Sequence, residues 1–99
     1  MSTETLVVGR IKFNEIVTMG VQILVKEKFE AELECEIKRS DTLNEWAFQD
    51  ANWASHIGDD EIKNVRAILE EWKIYIKKFE LSLYYLTEPY VYIRYPDNE

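Results

Sequence analysis

Glycine, proline, cysteine and histidine are scarce in this chain: three, two, one and one among 99 residues. A lone cysteine, Cys35, cannot close an internal disulfide, which excludes a disulfide-stapled secreted scaffold and suits a reducing compartment. A single histidine, His56, excludes His-rich metal sites and paired-histidine chemistry. So little Gly and Pro leaves no linker, so residues 1–99 read as one domain. There is no Gly-rich phosphate loop, and no GxSxG, HExxH or CxxC pattern. No apolar run approaches the roughly 20 residues that span a bilayer. The start, Met1-Ser2-Thr3-Glu4, lacks the basic residues and apolar stretch of a secretory leader. The expectation is a soluble cytoplasmic protein away from membranes, in the host cell's cytoplasm if the chain is viral.

Positive charge is also short. Twelve Lys and Arg face nineteen Asp and Glu, a formal charge of −7. That balance argues against direct nucleic-acid binding by phosphate neutralisation and favours a basic partner. Hydrophobic residues make up 46% and aromatics 13%, too many for a disordered acidic tail.

The apolar residues that are present fall into regular periods. Residues 5–13 alternate, with Val7, Ile11 and Phe13 on one face and Arg10 and Lys12 on the other, the pattern of a half-buried strand. Residues 17–25 alternate through Val17, Met19, Val21, Ile23 and Val25. Residues 29–38 alternate through Phe29, Ala31, Leu33, Cys35 and Ile37. Both stretches read as strands, joined by the short polar Lys26-Glu27-Lys28. Residues 40–58 fit neither period and read as a loop with one helical turn. Residues 59–79 carry Ile62, Val65, Leu69, Trp72, Ile76 and Phe79 at 3-4-3-4-3 spacing, one apolar stripe of a helix. Asp59 and Asp60 are placed to cap its start. Residues 80–86 and 90–95 alternate again on either side of Thr87-Glu88-Pro89, a final hairpin. The expected fold is therefore α+β: a two-layer domain with an antiparallel sheet of about five strands, in the order β-β-β-loop-α-β-β, and one amphipathic helix on one face.

Three features of this reading carry a function. Glu30, Glu32, Glu34 and Glu36 would form a row of carboxylates on the outer face of the third strand, roughly 6.5–7 Å apart. With Val25 opposite Phe29, they would face Gln22, Gly20 and Thr18, and no cation. From Arg39 to Lys63 there is no base, while Asp41, Glu45 and Asp50 are interleaved with Trp46 and Trp53. Carboxylates steer and pair with Arg and Lys, and indole rings supply contact area and stack on guanidinium. Tyr84, Tyr90 and Tyr92 line one face of the last hairpin, and tyrosine is enriched at interfaces. Each feature also has a plain structural explanation: a solvated strand, loop solvation with core-closing tryptophans, and a β-forming residue on a strand.

No arrangement of these residues suggests catalysis. His56 beside Asp59 and Asp60 is better explained by helix capping than by metal binding, and Cys35 falls on the inward face as a structural thiol. The sequence thus predicts a non-enzyme without metal or cofactor. It would be a small acidic inhibitor that binds a basic protein, either a nuclease or a nucleoprotein complex. It would block that partner by pairing with its Lys and Arg or by mimicking nucleic acid. An immunity protein or antitoxin, or a viral anti-defence protein such as an anti-CRISPR or anti-restriction protein, fits this description. The alternative is an assembly module that homodimerises through its exposed sheet face.

Overall fold

The Val- and Ile-rich start of the chain does form a strand, and it becomes the centre of the sheet. The computed structural model describes residues 5–48 and 57–96. In chain order the elements are β1 (Thr5–Phe13), α1 (Met19–Leu33), β2 (Ile37–Arg39), β3 (Glu45–Phe48), α2 (Asp59–Trp72), a 3-10 turn (Lys73–Tyr75), β4 (Ile76–Tyr85) and β5 (Glu88–Tyr95). The sheet runs β2-β3-β1-β4-β5 with every neighbouring pair antiparallel. Each helix links two strands that leave room for a third between them: α1 joins β1 to β2 around β3, and α2 joins β3 to β4 around β1. Two interlocked split β-α-β units of this kind make up the ferredoxin-like connectivity, here extended by β5.

The α+β class and the five-stranded antiparallel sheet match expectation; the single helix does not. The two strands expected over 17–25 and 29–38 are mostly one helix, α1. Gln22, Val25, Phe29 and Leu33 are its buried residues, spaced 3-4-4 along one side. Phe29 and Leu33 satisfy a period of two and a period of 3.6 alike, so alternation could not tell the two apart. Lys26-Glu27-Lys28 contains no turn residue, and the helix runs straight through it with a Lys26–Glu30 ion pair at 3.1 Å. Thr18 caps the start by accepting from the Val21 N–H. Glu34 ends the helix in the left-handed conformation, φ 51°, and its N–H donates to the Glu30 carbonyl.

The region read as a loop supplies two strands. β2 and β3 form a short hairpin in which Ile37 lies opposite Phe48, and Trp46 and Phe48 alternate inward. The helix expected over 59–79 stops at Trp72. Ile62, Val65, Leu69 and Trp72 belong to α2, whereas Ile76 and Phe79 are buried because they point inward from β4. After Trp72 the helix tightens into the 3-10 turn Lys73–Tyr75, and extended backbone begins at the β-branched Ile76.

One core unites these elements. Val7, Ile11 and Phe13 of β1, with Phe79, Leu81 and Leu83 of β4, meet Val25, Phe29 and Leu33 of α1 and Val65 and Leu69 of α2. The Phe29 and Phe79 ring centroids are 5.0 Å apart, and Phe48 stands edge-on to Phe79 at 6.1 Å. Gly9 is required by this packing. A Cβ there would run into the Glu80 carbonyl of β4 and lie 2.8 Å from the Phe48 ring.

Candidate interaction surfaces

The glutamate row expected on a sheet face does not exist. Glu30 and Glu32 lie on α1, Glu34 caps it, and Glu36 precedes β2. A helix rotates successive residues by about 100°, so these carboxylates diverge instead of forming a ladder. Three of them have local work. Glu30 pairs with Lys26 and accepts the Ile37 N–H at 2.8 Å, tying α1 to β2. Glu32 accepts from the Asn64 side chain at 3.0 Å, joining α1 to α2. Glu36 is exposed, 3.8 Å from Lys38.

The acidic stretch with tryptophans is divided in the same way. Trp46 is 5% exposed; its indole N–H donates to the Gln22 side-chain oxygen at 3.0 Å. The Lys26 ammonium sits 5.6 Å from its ring centroid, an internal cation–π contact. Trp46 is therefore core, not the exposed contact residue expected from its place among the acids. Glu45 is half-buried, 3.6 Å from Arg10. Asp41 is exposed in the β2–β3 loop. Asp50, Trp53 and His56 lie outside the described residues.

The tyrosines of the last hairpin separate. β4 and β5 pair Leu81 with Ile93 and Leu83 with Val91, the inward set expected from alternation. Tyr84 lies opposite Pro89, and Tyr92 lies opposite Ser82, both on the outward set. The register shifts between Leu83 and Tyr84, which takes Tyr90 out of that set. The Tyr90 hydroxyl donates instead to the Ile57 carbonyl at 3.0 Å.

Strand register makes the outward face of the sheet readable as rows. Lys12 lies between Glu45 and Lys78. The next row runs Lys38, Ala47, Arg10, Glu80, Arg94 across all five strands. Beyond it come Val8, Ser82 and Tyr92, then Leu6, Tyr84 and Pro89, uncharged among the described residues of β1, β4 and β5. With Glu36, exposed beside Lys38 at the start of β2, the face carries five cations against three carboxylates. Arg10 lies 3.2 Å from Glu80 and 3.6 Å from Glu45, and Lys78 lies 3.6 Å from Glu80.

The helices show the opposite balance. α1, its Glu34 cap and α2 together hold nine Asp and Glu against four Lys and Arg. The helices thus hold an acidic excess of five, a further excess of acid lies elsewhere in the chain, and the sheet face expected to be acidic carries more cations than carboxylates. Sequence reading had placed Arg10, Lys12, Tyr92 and Arg94 outward. It missed their sum because the strands between which they sit were wrongly assigned.

Two smaller features complete the surface. An open cavity of about 390 Å³ lies between α2 and β5, lined by Arg66, Leu69, Glu70, Lys73, Ile93, Arg94 and Tyr95. In it Lys73 and Glu70 pair at 2.7 Å, and the bond raises the exposed Lys73 ammonium above its ordinary value. At the far end of β1, Ile16, Leu43 and Ile74 are 92%, 71% and 74% exposed, an apolar end to the molecule. Asn14 draws part of it together by donating to the Ile74 carbonyl.

Cys35 is buried. Burial, with Glu30 adding to it, pushes its thiol up to about 12, so the nucleophilic thiolate is suppressed at neutral pH. Among the described residues, no helix is long and apolar enough to cross a membrane. Compared with known proteins, the chain matches no family model, no curated protein and no solved structure.

Proposed function

We propose that the protein works by binding, as a small acidic inhibitor that docks its helical side onto a basic, nucleic-acid-handling partner in the cytoplasm. The observation that carries this reading is the segregation of charge: nine carboxylates against four cations on α1, its cap and α2. Carboxylates projecting from two adjacent helices present negative charge at several angles, as a phosphate backbone does, and pair with Lys and Arg that otherwise hold nucleic acid. The long-range field of such a side also speeds encounter with a basic surface. Immunity proteins, antitoxins and viral anti-defence proteins such as anti-CRISPR or anti-restriction proteins act in this way, and no catalytic group or cofactor is required.

The test reverses exposed carboxylates that have no fold-holding bond described above: Glu27→Lys, Asp60→Lys and Glu71→Lys together. Circular dichroism should be unchanged, while affinity capture of a nuclease or nucleoprotein from the native host is lost. Capture that survives the triple reversal removes the proposal.

A second reading, homodimerisation through the sheet face, rests on Tyr92, which is 57% exposed in the uncharged half of that face. Light scattering of the purified chain distinguishes it, since a dimer persists on dilution and the inhibitor reading expects a monomer.

A further inference from the structure

We propose that the outward face of the sheet binds single-stranded nucleic acid, by contacts separate from those of the helical side. The net charge of −7 spoke against such binding, but a ligand responds to the face it approaches. On this face Lys12, Lys38, Lys78, Arg10 and Arg94 stand against Glu36, Glu45 and Glu80. The helices pack against the inward side of the sheet. Apart from Glu30, which reaches the Ile37 N–H of β2, their carboxylates therefore act on this face from across the sheet, and salt screens exposed charges beyond a Debye length of about 8 Å.

The arrangement fits a nucleotide strand better than a protein acid patch. The face divides into a charged half and an uncharged half, and the two meet along the Arg10–Glu80–Arg94 row. Tyr92 is two positions from Arg94 on β5, roughly 6.5–7 Å along the strand. A phosphate held by the charged half therefore places its base over the uncharged half, where Tyr92 offers a ring that is more than half exposed. Every base has a π-face, so stacking of this kind does not depend on sequence. Glu80 and Glu45 hold the Arg10 guanidinium at the centre of the face, a preorganised cation. A flat sheet inserts nothing into a duplex groove, whereas unpaired bases can lie on it.

The experiment is fluorescence anisotropy of the whole protein with labelled oligo(U) and oligo(dT) of about a dozen nucleotides, within the span of known single-strand sites. The expected result is micromolar binding whose log–log salt slope is about −2, as for some three phosphates neutralised on a single strand. Lys12→Glu with Lys38→Glu should abolish binding. Tyr92→Ala should weaken it about tenfold while Tyr92→Phe preserves it, which separates stacking from a folding defect. Asp60→Lys should not weaken it. No binding with the protein at roughly 100 µM, the weak end of non-specific affinity, overturns the proposal. So does binding indifferent to Tyr92, equal affinity for poly-glutamate, or a dimer that buries Tyr92. The nucleic-acid results leave partner capture by the helical side untouched, since it has its own variants, whereas a dimer, read separately by light scattering, counts against both.

Discussion

The two sides of this molecule share one core and oppose each other in charge. The helices carry more than two carboxylates for each cation, whereas the sheet face carries more cations than carboxylates. A net charge averages these and describes neither. The segregation also shows which polar residues hold the fold and which are available. Glu30 and Trp46 tie α1 to β2 and β3 and Glu32 ties α1 to α2, while Glu27, Asp60, Tyr92 and Lys12 make no such side-chain bond to another described residue.

The comparison breaks most completely where the two sides are joined. Phe29 is fully buried between α1 and the sheet. Phe29→Ala should cost about 3–5 kcal/mol and loosen both sides at once, read as a lower urea midpoint. Gly9→Ala acts on the sheet alone. It forces β4 and Phe48 away from β1 and should cost about 1–3 kcal/mol in the same assay. Gln22→Ala breaks the polar link between the sides. Gln22 donates to the Val17 carbonyl and to Asn44, and accepts from Trp46. Stranding the buried indole N–H should cost about 1–3 kcal/mol and shift the tryptophan fluorescence.

The smallest effect at neutral pH belongs to Cys35. Its folded thiol is raised from 9.0 to about 12, so above pH 9 the unfolded chain binds fewer protons than the folded one. The stability tied to this group is therefore full below pH 9 and falls as the pH rises towards 12. Cys35→Ala should flatten that part of the stability profile, and alkylation of the native thiol at pH 8 should be slow compared with the unfolded chain.

Much of this architecture was legible residue by residue. Val7, Ile11 and Phe13 could only be one face of a strand, and alternation put Leu81, Leu83, Val91 and Ile93 on one face of the last hairpin, whereas their register, and the exposure of Tyr85 from the same expected face, came from the structure. What misled was a coincidence of periods. In residues 29–37 alternate positions are apolar, yet Phe29 and Leu33 are also one helical turn apart, and Ala31 turns out exposed. Likewise Ile76 and Phe79 extend the α2 stripe on paper while belonging to β4. The candidate site inherited both errors, because a carboxylate row exists only if its segment is a strand.

The sequence by itself determined the α+β class, the strand face of β1, the inward positions Leu81, Leu83, Val91 and Ile93 of the last hairpin, and the concentration of acid between residues 27 and 61, where eleven acids meet three bases. Those properties are local: they depend on periodicity and composition within a segment. Only the tertiary structure decided on which side of the molecule that acid lies. Whether Glu30 and Glu32 stand on a strand or a helix depends on what buries Phe29 and Leu33, and their partners, Phe79 and the rest of the β4 core, are supplied from some fifty residues away.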